Sequence, residues 1–108
     1  MDDLEFRNHA ESAIESLKKS LYVAEESADF EVEEQNGVLN VVFEEPPGKF
    51  VITPNAPVRQ IWISALSTSF KLDWSDGGFV LAKTGEGLKA LVSRLVNEHL
   101  GEEVVELE

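Results

Sequence analysis

The 108-residue chain has room for one domain, spanning 1–108, and its 43% apolar residues suffice for one hydrophobic core. Its 21 acidic residues outnumber 9 basic ones, a formal charge of -12, which argues against nucleic-acid contact and favours cations or basic surfaces as partners. No cysteine is present, which excludes disulfides, thiolate metal sites and cysteine nucleophiles; with no basic leader and no run near the roughly 18 apolar residues of a membrane span, a cytoplasmic location is expected.

From Asp2 to about Ala24, the residues Phe6, Ala10, Ala13, Ile14, Leu17, Leu21 and Ala24 recur at steps of three and four, which predicts an amphipathic helix. Asp2 and Asp3 suit its positive end, and Glu15 is spaced to pair with Lys18 or Lys19. Asp29 to Glu33 alternates with period two, turning Phe30 and Val32 inward and three carboxylates outward. Asn36-Gly37 supplies the positive φ of a tight hairpin, and Val38 to Phe43 is the return strand, ended by two prolines and a glycine at 46–48. Further strands are expected at Lys49 to Thr53, Val58 to Leu66 and Ser69 to Ser75; after the turn Asp76-Gly77-Gly78, a last one runs from Phe79 to Lys83. Thr84 is expected to cap a second helix, with Glu86 in its first turn, an apolar stripe of Leu88, Leu91, Val92, Leu95 and Leu100, and Gly101 at its stop. The tail keeps Val104, Val105 and Leu107 and is expected to pack back on the domain.

This order, a helix, about six short strands and a helix, predicts an α+β two-layer sandwich in which two helices cover one face of a mainly antiparallel sheet. The other face is left to water or to a partner. In the tract Pro57 to Ser64, alternation sends Ile61 and Ile63 to the core and Gln60, Trp62 and Ser64 to that open face. A large aromatic among hydrogen-bonding residues is the kind of group that anchors a protein partner. Trp74, with Phe70, Leu72 and Phe79 nearby, is expected in the core instead.

The charge is segregated: residues 1–45 hold 13 acidic and 3 basic residues, residues 46–100 hold 4 and 6. Carboxylates along a strand can hold hard cations weakly, steer a basic partner, or simply keep a small domain soluble. His9 is spaced to meet Asp2 and Glu5, but its neighbouring apolar Ala13 favours a half-buried structural role, and His99 suits the negative end of a helix. Gly85-Glu86-Gly87 lacks the lysine and glycine spacing of a phosphate loop, and no nucleophile elbow is present, so no catalysis is expected.

The negative helix and strand, the Asn36-Gly37-Val38-Leu39 hairpin, the tract Gln60-Ile61-Trp62-Ile63-Ser64 after a proline, and Thr84-Gly85-Glu86, in this order, resemble the frataxin family, its bacterial branch in particular. The likeness runs from about Glu5 to Gly101. It implies a protein that binds Fe(II) or Fe(III) through carboxylates and docks on the cysteine desulfurase and iron-sulfur scaffold protein, with a ferroxidase activity in some members; as this chain shows no dinuclear cage of the Glu-x-x-His kind, weak binding and no enzyme activity are expected. It further implies regulation of iron-sulfur cluster assembly by a monomer open to metal-driven oligomers. Carried over by position, the family's acidic ridge falls on Asp3, Glu11, Glu25, Asp29, Glu31 and Glu33. Its docking surface falls on Gln60 and Trp62, with Lys71 in the place of a basic residue before Asp73-Trp74. The chain departs from the family at Lys18, Lys19, Tyr22 and Val23, where acids usually crowd the helix end, and at Arg7, where an early histidine is common. An acidic adaptor that binds a basic protein and no longer binds iron specifically is the competing reading.

Overall fold

The three-and-four spacing of Phe6, Ala10, Ile14, Leu17 and Leu21 becomes one buried stripe on helix α1 (Asp3–Glu25), in a computed structural model that describes residues 2–75, 77–103 and 105–107. Asp2 caps the helix by accepting the Glu5 N–H at 2.8 Å, which satisfies one of the amides a first turn leaves unpaired.

The chain then winds back and forth through β1 (Glu31–Gln35), β2 (Val38–Glu44), β3 (Pro47–Asn55), β4 (Gln60–Ala65), β5 (Thr68–Ser75), β6 (Gly78–Leu81) and β7 (Glu86–Gly87), before helix α2 (Leu88–Leu100). Among the described residues these strands form one sheet in sequential order, each pair antiparallel. Asn36 and Gly37 take positive φ in the β1–β2 hairpin, as the Asn-Gly pair requires.

One face of the sheet is the core. In-register rows run Val32, Val41, Phe50 and Ala65, then Leu39, Ile52, Ile63 and Phe70, and the stripes of α1 and α2 pack over them. No polar or charged side chain is buried among the described residues. The tail does fold back: Asn97 on α2 donates to the Val105 carbonyl at 2.8 Å and accepts the Val105 N–H at 2.9 Å, while Leu107 N–H donates to Ser93 Oγ at 3.0 Å. Val105 and Leu107 are buried, whereas Val104 lies outside the described residues, as does Asp76 of the predicted turn. No described helix is long and apolar enough to cross a membrane.

Several expectations need correction. Among the described residues the sheet has seven strands rather than about six, because Glu86 and Gly87, read as a helix opening, pair with Leu81 and Val80. Helix α2 therefore starts at Leu88 with Gly87 at its N-cap and no side-chain cap. Thr84 does not cap it; its hydroxyl donates to Glu86 Oε1 at 2.9 Å and accepts the Glu86 N–H at 3.2 Å. Strand β4 begins at Gln60, not Val58, since Ala56–Val58 form a 3-10 turn closed by Arg59 at φ 53. Strand β1 begins at Glu31, not Asp29, because the Phe30 N–H turns back to the Ala28 carbonyl at 3.0 Å.

Candidate functional site

Because side chains alternate along each strand, the face opposite the helices is assembled from the residues between the core positions. Glu33, Asn40, Val51, Ser64 and Ser69 lie in register across β1 to β5. Beside them run Thr53, Trp62 and Lys71, and then Asn55, Gln60, Asp73 and Val80. Asn40, Val42, Val51, Thr53, Trp62 and Ser64 form the centre of this face, with Lys49 of β3 in register beside Val42. Carboxylates of Glu31 and Glu33 border it on β1; Lys71 and Asp73 border it on β5.

Trp62 sits at this centre, half-buried. Its indole Nε1–H donates to Gln60 Oε1 at 2.8 Å, and Gln60 Nε2 donates to Asp73 Oδ1 at 2.9 Å. The Lys71 ammonium lies 4.9 Å from the indole centroid, within cation–π range. Alternation identified the face of Gln60 and Trp62, and Lys71 came from the family likeness. Asp73 was missed as a member of the group, since its pairing opposite Gln60 depends on the β4–β5 register, which a single sequence does not reveal.

The carboxylates of the expected acidic ridge do not act alike. Asp3 forms an exposed ion pair with Arg59 at 3.2 Å, and Glu25 accepts the Val32 N–H at 2.8 Å. Asp29 and Glu31, with Glu44 and Glu45, rim a groove of about 560 Å3 floored by Phe30 and Val42. Glu33 is exposed beside Asn40. Glu11 lines a separate groove of about 700 Å3, between α1 and the β1–β2 turn, together with Arg7, Glu15 and Glu34. Among the described residues, no three Asp, Glu, His or Cys side chains converge in a group able to hold a metal ion. What the ridge offers is oxygen dispersed over the surface.

Lys18, one of the departures from the family, has a local reason. It bridges Glu15 at 2.9 Å and Glu34 at 3.3 Å, tying α1 to β1. The hydrogen bond from Lys18 holds the Glu15 carboxyl below its ordinary value, and the bond to Glu15 raises Lys18 in turn. Neither histidine joins the acids. His9 is half-buried and stacks on Trp74 with ring centroids 4.0 Å apart, while Trp74 packs at the margin of the core. His99, expected to serve the helix end, packs against Phe43 with its Nε2 2.6 Å from the Pro46 carbonyl, linking α2 to the β2–β3 turn.

The model of the frataxin-like domain matches residues 1–102. The chain is 30% identical over 95 residues to the iron-sulfur cluster assembly protein CyaY of Azotobacter vinelandii, covering 84% of this chain and 86% of that protein. In fold it is similar to the frataxin of Psychromonas ingrahamii, with a TM-score of 0.85, 21% identity and 100% of both chains covered. It is likewise similar to trimeric frataxin of Saccharomyces cerevisiae complexed with ferrous iron, with a TM-score of 0.73, 23% identity and 87% of each chain covered.

Proposed function

The chain belongs to the frataxin-like family, and from that premise we propose that it is a regulator of iron-sulfur cluster assembly that docks on the cysteine desulfurase and its scaffold protein, carrying iron as weakly held cargo. The observation that carries this reading is the uncovered sheet face, with Trp62 at its centre and the carboxylates of Glu31 and Glu33 on its β1 border. A half-buried tryptophan among small polar groups is the composition of an interface anchor. Carboxylates beside it steer a basic partner and fix its orientation, an effect that weakens with salt.

The chain performs no bond chemistry in this reading. Its work is to bring an iron ion and two assembly proteins together, in a cytoplasmic setting. The role of the relative from Azotobacter and the ferrous complex of the yeast neighbour support that assignment. Asp29, Glu31, Glu33 and Glu11 are the ridge carboxylates left to meet iron, each through oxygen and with water completing the shell. Asp3 and Glu25 have structural partners of their own and belong to the ridge as charge more than as ligands. A monomer is the proposed working form, with oligomers driven by metal.

The dispersal of the carboxylates favours a second reading, an acidic adaptor that no longer binds iron specifically. Anaerobic Fe(II) titration followed by amide NMR separates the two. Selective shifts at Asp29 to Glu33 support iron as cargo; saturating Fe(II) without them leaves the adaptor. Docking is tested by a pull-down with purified desulfurase and scaffold protein, comparing Trp62→Ala and a triple charge reversal at Asp29, Glu31 and Glu33. Both variants are expected to bind less than the unaltered chain, and unchanged binding by both rejects docking through these surfaces.

A further inference from the structure

We propose that Asp73 is a positioning residue for docking: acting through the Gln60 amide, its carboxylate holds the Trp62 indole in the orientation that a partner meets. This inference rests on the docking reading above. Four residues form a two-by-two block on the open face, with Gln60 opposite Asp73 and Trp62 opposite Lys71 across the β4–β5 pairing. Within the block the hydrogen bonds run in one direction, from the indole N–H to Gln60 Oε1 and from Gln60 Nε2 to Asp73 Oδ1.

A glutamine amide has two orientations, and here its neighbours choose between them. Turned over, it would set its NH2 against the indole N–H, donor to donor, and its oxygen against a carboxylate, acceptor to acceptor. The indole can only donate and the ionised carboxylate can only accept, so Asp73 fixes the amide and the amide fixes the ring. Lys71, over the ring face, adds a cation–π contact to the same block.

The arrangement also defines the partner's chemistry. The indole has a single N–H, which is engaged within the chain, so a partner meets the ring carbons rather than a hydrogen-bond donor. Beside the ring the block presents the Lys71 ammonium and the second N–H of Gln60 Nε2 as donors, next to the exposed Asp73 carboxylate. The surface that fits is an apolar patch flanked by a hydrogen-bond acceptor on its Lys71 side. Hydrogen bonds of this kind hold a hot-spot side chain in place before binding, which lowers the ordering cost of association.

The chain has two tryptophans, so its NMR spectrum contains two indole N–H signals, and that of Trp74 is an internal control. Asp73→Leu removes the acceptor, whereas Asp73→Asn keeps an oxygen for Gln60. The expected result for Asp73→Leu is faster exchange of the Trp62 indole proton with water, an unchanged Trp74 signal, and binding to the purified desulfurase and scaffold complex weakened about fivefold, the effect of one ordinary hydrogen bond. Asp73→Asn is expected to stay within about twofold of the unaltered chain on both measures. Unchanged indole exchange in Asp73→Leu overturns the relay, and faster exchange with undiminished binding overturns its role in docking. Trp62→Ala tells the two levels apart: if it binds normally, the docking reading fails and the inference with it; if it binds weakly while Asp73→Leu binds normally, only the inference fails.

Discussion

Glu25 shows how position decides what a carboxylate does. Val32 stands opposite Val41 in the β1–β2 hairpin, at a place where the strand directs its N–H outward from the sheet edge. Glu25 accepts that N–H at 2.8 Å, so its charge is tied to the backbone and one N–H of the β1 edge is occupied. Glu25→Gln retains an acceptor and is expected to keep the Val32 amide slow to exchange, with the Fe(II) shifts at Asp29 to Glu33 unchanged. Glu25→Ala is expected to speed that exchange. Loss of the iron shifts in Glu25→Gln would instead make Glu25 a ligand. At Trp62, engagement of the indole N–H leads to a related expectation: Trp62→Phe, which keeps a ring without the donor, should bind the partner more tightly than Trp62→Ala, and equal losses in a binding titration would show that the N–H matters. Alternation along β4 was enough to place Gln60, Trp62 and Ser64 on the open face. The engagement of Asp3 by Arg59 and of Glu25 by Val32 was not legible, because each joins segments whose approach depends on the whole fold.

At the level of elements, the tail is held by two side chains of α2, Asn97 and Ser93. Asn97 meets both the N–H and the C=O of Val105, giving this short segment a backbone partner without a further strand. Asn97→Ala is expected to cost about 1–3 kcal/mol, with the melting temperature falling by roughly 4–8 °C per kcal/mol. Thermal melting and hydrogen exchange at Val105 check this, and a variant that matches the unaltered chain in both would show that the Ser93 bond to Leu107 and the burial of Val105 and Leu107 hold the tail without Asn97. Helices and long strands were readable because their apolar periods extend over many residues, as in Phe6 to Leu21. The opening of α2 was not. Thr84-Gly85-Glu86 has the residue types of a cap, but Glu86 instead receives two hydrogen bonds from Arg94, at 2.7 and 2.9 Å. That contact and the pairing of Glu86 and Gly87 with β6 override the local signal.

The whole molecule combines a formal charge of -12 with segregation of 13 acids into its first 45 residues, and two opposing electrostatic effects follow. The hydrogen bonds from Arg94 hold the Glu86 carboxyl below its ordinary value, and Lys18 does the same for Glu15. A carboxyl depressed in the folded state contributes stability above its unfolded value, near pH 4.3, and that contribution disappears as pH falls through the lower folded value. Acid is therefore expected to loosen α2 from β7 and to release the Glu15–Lys18 pair within α1 below about pH 4, read as lost amide protection near Glu86 and Glu15. At neutral pH the opposing effect is repulsion among acids that have no ion-pair partner among the described residues, Asp29, Glu31 and Glu33 above all, which works against the compact state. Added monovalent salt shortens the range of that repulsion to about 10 Å at 0.1 M, so the melting temperature is expected to rise from low salt to 0.3 M. Replacing Asp29, Glu31 and Glu33 by their amides should raise it at low salt and flatten the dependence. The same salt should slow association with a basic partner, because the field that destabilises the free chain is the one that steers it. A melting temperature indifferent to salt in the unaltered chain, beside an association rate that still falls with salt, would separate the two effects and show that the anionic pole steers without strain.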